Sequence, residues 1–155
     1  MVHGSFVLPV DLAAAPARVF AAYAEPALRQ RWFRLSGDPT ETRHHLDFRV
    51  GGGEIARAIS RATGVAEAIE YHSWFADIVP DRRIVLAYRG AVGGVGRWAS
   101  LVTVYLAPIT VGTRLTHTEQ YAFFVIDGDG SGDVAHLEGG TRLQLNGLAA
   151  VVEGR

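Results

Sequence analysis

The chain has 155 residues, of which 48% are apolar and 20% charged, and its formal net charge is -1. This length and balance are typical of one globular domain, and we expect a single domain spanning residues 1–155. They exclude a largely disordered chain, and no apolar run approaches the about 20 residues of a membrane-spanning helix. Without a basic excess or stripe, we expect no nucleic-acid partner.

The basic residues and the cysteine count narrow the chemistry further. All 15 basic residues are Arg, and the number of Cys is 0. The lack of cysteine excludes disulfides, zinc–thiolate sites and a cysteine nucleophile. The first residues lack the basic and apolar regions of a secretory signal, so we expect a cytoplasmic protein without membrane insertion, as a monomer or homodimer.

The first part of the chain combines one strand with two short helices. Four alternating apolar residues predict a strand over 5–12. Pro16 favours the start of a helix, and Pro26 separates it from a second short helix over 26–32. The polar stretch 35–42 is predicted to be a loop.

The hydrophobic period then changes to two, which predicts a series of strands joined by short turns. Three glycines predict the turn of a hairpin, and a glycine-rich stretch predicts a mobile loop. The predicted strands are 46–50, 54–60, 66–78, 84–88, 98–106 and 113–124, and the predicted mobile loop is 90–96.

A helical period returns over 134–152, which predicts a C-terminal helix about 28 Å long. The order of elements predicts an α+β protein with a seven-stranded antiparallel sheet and helices on one face. Such a strongly twisted sheet must curl, here around the C-terminal helix. Because the two surfaces need not touch everywhere, we expect an elongated cavity between them.

Several segments, in this order and spacing, resemble the helix-grip superfamily, which includes START lipid-transfer domains and polyketide cyclases. They are Pro16-Ala-Arg-Val19-Phe20, Trp32-Phe33, Leu46-Asp-Phe48-Arg49-Val-Gly51-Gly52, Asp77-Ile-Val-Pro80, Arg83-Ile-Val-Leu86, Gly112-Thr-Arg-Leu115-Thr, Thr118-Glu119-Gln120 and Gly140-Thr-Arg. The most similar group is the one homologous to the activator of the heat-shock-protein-90 ATPase.

This resemblance implies a helix-grip fold and a ligand class. Members bind hydrophobic or amphipathic small molecules between sheet and helix, some are enzymes, and the group's name implies activation of a chaperone. Many relatives carry Trp where Thr141 stands, so the resemblance implies a larger cavity at that end.

Two polar residues interrupt the inward face of the strand 113–124. His117 and Glu119 lie two residues apart, so their side chains point the same way about 7 Å apart. Both are costly to bury without partners. Three interpretations remain open: a structural pair bonded to each other, Tyr121 or Arg57; groups that orient a ligand; or the acid–base pair of a cyclase or dehydratase.

A second candidate lies beside the triple-glycine turn. Arg49, Glu54 and Arg57 flank this turn, which favours an ion pair that holds the hairpin. The alternative is that Arg57, which shares an alternation with Ile55 and Ile59, enters the cavity and binds a carboxylate. His44 and His45 are expected to be solvated.

We therefore expect a protein that binds a small hydrophobic or amphipathic molecule, without a cofactor. The alternatives are the cyclase- or dehydratase-type enzyme and a chaperone-associated interaction module. The expected ligand-binding residues are Phe48, Arg57, Tyr71, Phe75, Leu86, Tyr88, Trp98, His117, Glu119, Tyr121, Thr141, Leu145 and Leu148.

An acidic stretch matches the spacing of a calcium-binding loop. Asp127, Asp129, Ser131 and Glu138 occupy its positions 1, 3, 5 and 12. However, a strand precedes the stretch, and Ala135 offers no side-chain oxygen at position 9. Because Asp and Gly also form ordinary turns, we expect a turn and no metal here.

Overall fold

The polypeptide forms seven strands and three α-helices, and the computed structural model describes all of residues 1–155. The elements are β1 (Val2–Leu12), α1 (Pro16–Ala24), α2 (Pro26–Trp32), a short 3-10 helix (Pro39–Glu41), β2 (Arg43–Leu46), β3 (Gly53–Ser60), β4 (Glu67–Val79), β5 (Arg83–Val92), β6 (Val95–Ile109), β7 (Gly112–Phe123) and α3 (Ser131–Glu153).

The seven strands form one antiparallel sheet in the order β1-β7-β6-β5-β4-β3-β2. Consecutive strands from β2 to β7 are neighbours, and β1 closes the sheet by pairing with β7 from Val2 opposite Phe123 to Leu12 opposite Thr113. The register shifts within the β4–β5 and β5–β6 pairs, which adds local twist and bends the strands. The predicted α+β architecture is confirmed.

The helix α3 lies along the concave face of the sheet and runs beside β1. Gly130, just before the helix, lies against Val2 at the start of β1. At the other end the Ala13 backbone N–H, just after β1, donates to Glu153 Oε2 at 3.0 Å. With α1 and α2, α3 buries one continuous core of 22 residues against the sheet. None of the helices has the length and apolar character needed to cross a membrane.

The predicted strand 46–50 is wrong, because β2 ends at Leu46. The backbone turns there: the Arg49 N–H donates to the Asp47 carbonyl at 3.1 Å, and the Gly52 N–H donates to the Arg49 carbonyl at 2.9 Å. Phe48 therefore belongs to a turn. Its apolar side chain is still used, because it packs against the aromatic core, and that burial produced the misleading alternation.

The predicted mobile loop 90–96 is also wrong. Strand β5 continues to Val92 and β6 begins at Val95, so only Gly93 and Gly94 form the turn. Both have positive φ, 58° and 79°, as a tight two-residue hairpin requires. Gly90 lies under the ring of Trp98, where a Cβ would be 2.3 Å from a ring carbon. Close packing against Trp98 therefore leaves no room for a side chain at position 90.

Candidate functional site

The concave face is filled at one end and partly open at the other. Beneath the C-terminal half of α3, Leu8, Ile84 and Leu115 are at most 2% exposed. Beneath its N-terminal half, the inward-facing Tyr88 and Tyr121 remain only partly buried. The open end is therefore walled by aromatic side chains that the helix does not fully cover.

A buried carboxylate lies on this wall, in the second strand from one edge of the sheet. Strand β7 turns Glu119 inward, where its residue is 1% exposed. The Tyr88 hydroxyl lies 2.6 Å from Glu119 Oε1, and His117 Nε2 lies 3.1 Å from Oε2. The predicted neighbours His117 and Glu119 thus contact each other, and Tyr88 replaces the expected partners Tyr121 and Arg57.

The direction of the hydrogen bonds follows from the indole of Trp98. Its Nε1–H can only donate, and it lies 3.2 Å from the Tyr88 hydroxyl oxygen. The tyrosine proton is therefore directed at Glu119. Burial, together with the negative charge of Glu119 and the hydrogen bond to it, raises the pKa of Tyr88 well above its usual value. Tyr88 is a stable neutral donor at this position.

Ser100 adds an unused polar group to the same region. In the register of the sheet it lies between Tyr88 on β5 and Tyr121 on β7. Its hydroxyl is buried and makes no hydrogen bond of good geometry, although it lies close enough to the Tyr88 hydroxyl to interact with it. Buried hydroxyls are normally well bonded, so Ser100 is an exception in this region.

A second buried carboxylate is Glu54 on β3, for which the sequence indicated an ion pair at the hairpin but not the partner, Arg29. The Arg29 guanidinium holds it with two hydrogen bonds of 2.8 and 2.7 Å, and His44 Nε2 lies 2.7 Å from its Oε2. The Arg29 guanidinium also lies over the rings of Phe33 and Trp32, at 3.9 and 4.5 Å. This network ties α2 to the β2–β3 hairpin.

The Glu54 network is strongly ionic. Burial alone would raise the pKa of Glu54, but the charge and hydrogen bonds of Arg29, with the hydrogen bond from His44, lower it to about 2. An ionised carboxylate only accepts, so His44 Nε2 is the donor and its Nδ1 remains buried without a partner. The expectation that His44 is solvated is wrong, because its side chain is only 8% exposed.

Arg57 points away from the concave face, so the alternative in which it binds a ligand carboxylate is wrong. Strand β3 turns Glu54, Ala56 and Ala58 inward, and Ile55 is 47% exposed. Arg57 lies on the outer face, with its Nε 3.5 Å from a carboxylate oxygen of Glu70. Alternation identifies two faces but not which one is buried, and a shift of one residue exchanges them.

The remaining predicted ligand-binding residues divide between the core and the open end. Phe75, Leu86, Leu145 and Leu148 are buried in the core cluster. Tyr71 bridges the two regions, with its ring centroid 4.8 Å from that of Phe33 on one side. On the other side the centroid of Tyr88 lies 4.7 Å away.

Thr141 lies near the middle of α3 and is buried. Its hydroxyl donates to the Leu137 carbonyl oxygen at 3.0 Å, which satisfies the group within the helix and leaves only a methyl group to fill space.

The opposite, outer face of the sheet carries an open groove of about 650 Å³ that the sequence analysis did not predict. Its floor is made of small side chains, because alanines from neighbouring strands lie side by side. The outward-facing residues around it are His72, Trp74, Ala87, Arg89, Ala99, Leu101, Gln120 and Ala122.

The acidic stretch before α3 uses its oxygen atoms for contacts within the protein. Asp129 accepts hydrogen bonds from the backbone N–H and the hydroxyl of Ser131, at 3.0 and 2.7 Å. Asp127 pairs with Arg97 at 2.9 Å, and Glu138 faces an arginine one helical turn later at 2.9 Å. No group of three His, Asp or Glu side chains is placed to hold a metal ion.

A curved antiparallel sheet closed by a long C-terminal helix, with two short helices after its first strand, defines a helix-grip protein of the START-like superfamily. Within it, the chain belongs to the family described as Activator of Hsp90 ATPase homolog 1-like protein, whose profile matches residues 13–153. The resemblance inferred from the sequence is thus confirmed.

Solved structures of bacterial proteins share this fold over nearly the whole chain. A Rhizobium loti protein is 43% identical, with a TM-score of 0.82 and coverage of 97% of each chain. A Rhizobium leguminosarum protein is 34% identical, with a TM-score of 0.84 and coverage of 99% of this chain and 97% of the other. A Chromobacterium violaceum protein is 25% identical, with a TM-score of 0.69 and coverage of 96% and 97%. None of the curated proteins is significantly similar to the chain.

Proposed function

We propose that the protein binds a small hydrophobic or amphipathic molecule between the sheet and the N-terminal half of α3. The observation that carries this proposal is the partial exposure of the inward-facing Tyr88, Trp98 and Tyr121, which lie near one another on the concave face. Small-molecule sites are mostly apolar and aromatic, with a few polar groups that fix orientation. This wall has that composition.

The polar groups of the proposed site lie together, so they would fix the orientation of a bound molecule. Glu119, Tyr88 and His117 form one bonded cluster on the wall, and Ser100 is next to it in the sheet. A bound molecule would place its polar group near this cluster and its apolar body against the aromatic rings.

A cavity-filling substitution tests the proposal. Thr141→Trp adds an indole at the middle of α3, and the matched control Leu143→Trp adds the same group at a position that is 72% exposed. Binding of the uncharged dye N-phenyl-1-naphthylamine is followed by its fluorescence. We expect Thr141→Trp to weaken dye binding at least about tenfold and Leu143→Trp to leave it unchanged.

Equal dye affinity in wild type and a folded Thr141→Trp variant would contradict the proposal. In that case the dye would bind elsewhere, and the outer groove is the site that the interaction-module alternative would use. Trp74, which is 53% exposed there, distinguishes the two, because Trp74→Ala would then abolish dye binding.

An enzyme of the cyclase or dehydratase type is the second candidate, and the 3.1 Å contact between His117 Nε2 and Glu119 Oε2 favours it. A histidine held by a carboxylate is suited to proton transfer. Native mass spectrometry of protein purified from its own host would identify a retained molecule. Its conversion to a product, lost in His117→Gln while binding remains, would support the enzyme.

A further inference from the structure

The polar cluster at the open end contains the carboxylate of Glu119, and no free cation lies near it to balance the charge of an anionic ligand. Glu119 is 1% exposed. Its two bonded partners, the Tyr88 hydroxyl and His117 Nε2, are both directed at it. Neither donor is therefore free for the polar group of a ligand.

The arginines near the concave face are already engaged. Arg29 is bound to Glu54 through its Nε and Nη2 atoms. Arg97, at the end of the sheet where α3 starts, is 2.9 Å from Asp127. Arg18, at the far end of α3, donates to a backbone carbonyl at 2.6 Å. An anionic ligand would meet the charge of Glu119 in a water-poor site, where like charges repel strongly.

The hydrogen-bonding capacity that remains matches a hydroxyl group. Glu119 accepts two hydrogen bonds and has lone pairs left, so it favours a donor. The Ser100 hydroxyl interacts with Tyr88 without a hydrogen bond of good geometry, so it can turn and donate to a ligand. Glu119 lies two residues before Tyr121, which faces Ser100, so Ser100 and Glu119 are diagonal neighbours about 7–8 Å apart between Cα atoms.

A ligand hydroxyl can donate to the carboxylate and accept from the serine at the same time. A carboxylate can only accept, and an ammonium can only donate. The wall itself favours an aromatic body, because the rings of Tyr71, Tyr88 and Trp98 follow one another across β4, β5 and β6, with centroid distances of 4.7 and 6.4 Å.

From this combination of charge and hydrogen bonding, and resting on the proposed function, we infer that the site selects uncharged aromatic molecules with a hydroxyl group and rejects carboxylates of the same shape. Glu119 is the residue that determines this selectivity. The ligand class is thus a phenol or aromatic alcohol, and not a fatty or aromatic acid.

Three probes that share a naphthalene ring and differ in its substituent test the inference on the full chain at pH 7. They are naphthalene, 2-naphthol and 2-naphthoate, with binding measured by titration calorimetry. We expect 2-naphthol to bind at least about tenfold more tightly than 2-naphthoate, with naphthalene between them. In Glu119→Gln the ratio should fall to about threefold or less, mainly through tighter binding of 2-naphthoate.

Glu70→Gln is the matched control, because Glu70 lies on the outer face beside Arg57 and should leave the ratio unchanged. If 2-naphthoate binds wild-type protein as tightly as 2-naphthol, the inference is overturned even where Glu119→Gln does not fold. An unchanged ratio in a folded Glu119→Gln variant also overturns it. These outcomes leave the proposed function intact as long as naphthalene binds, whereas a failure of all three probes to bind overturns both.

Discussion

Two glutamates on the concave face are equally buried but have different partners. Glu54 is 0% exposed and Glu119 is 1% exposed. Glu54 is held by a guanidinium and an imidazole, and the guanidinium is itself covered by aromatic rings. Glu119 is held by a tyrosine hydroxyl and an imidazole, with a serine hydroxyl nearby that makes no hydrogen bond of good geometry.

The difference separates a carboxylate neutralised by an arginine from one that has no arginine partner. The Glu54 network joins α2 to the edge of the sheet and has its charge neutralised within the protein. The Glu119 cluster lies on a wall that α3 covers only in part, and it has no arginine partner. Two equally buried carboxylates can thus differ in whether the protein itself supplies their counter-charge.

The largest effect should come from breaking the Glu54 ion pair. Arg29→Met leaves Glu54 buried without its cation, and we expect a loss of about 3–5 kcal/mol in the free energy of unfolding. Arg114→Met is the matched control, because Arg114 pairs with Asp11 on the surface and its loss should cost at most about 1 kcal/mol. Urea denaturation at pH 7 measures the unfolding free energy of both variants. Equal losses would show that the buried ion pair contributes no more than the surface pair.

The same ion pair should make stability depend on pH, with a somewhat smaller change in unfolding free energy. The folded-state pKa of Glu54 is lowered from 4.5 to about 2, so its contribution is present above about pH 4.5 and is lost as pH falls towards 2. This lowering of the Glu54 pKa corresponds to about 3 kcal/mol of unfolding free energy.

The Arg29→Met variant tests this contribution, because it removes the guanidinium, the group that lowers the pKa of Glu54 most. The gap in unfolding free energy between wild type and variant should therefore narrow from pH 5 to pH 3 in urea titrations. A constant gap over this range would mean that Glu54 is not the titrating group.

The smallest effect on stability is expected at the other carboxylate. In Glu119→Gln the amide oxygen can still accept from Tyr88 and the amide N–H can donate to a neutral His117, so we expect a change below about 1 kcal/mol. Glu54→Gln, the matched change, strands a buried arginine and should cost about 3–5 kcal/mol. Urea denaturation measures both losses. If they are similar, Glu119 stabilises the fold as much as Glu54 does.

Much of the candidate site could be predicted where strand alternation was unambiguous. In β7 the polar outer face identified the inward set, and His117, Glu119 and Tyr121 lie on the concave side as that pattern indicated. In β3 both alternating sets contained apolar and charged residues, so the pattern could not say whether Glu54 or Arg57 faces inward.

The partners of the buried carboxylates could not be predicted, because they come from distant parts of the chain. Arg29 and Glu54 are 25 positions apart, and Tyr88 and Glu119 are 31 apart. Such contacts depend on the curvature of the sheet and on the packing of α2, which no local pattern reports.

Local patterns of hydrophobic residues and turn residues were enough to predict the order of elements, the antiparallel sheet, the long C-terminal helix and the family. They could not predict which face of β3 is buried, that His44 joins an ionic network, or where α3 leaves the aromatic wall partly open. These features depend on how a curved sheet and a straight helix fit together. That fit is a property of long-range packing, and packing decides which buried charge is neutralised and which remains available.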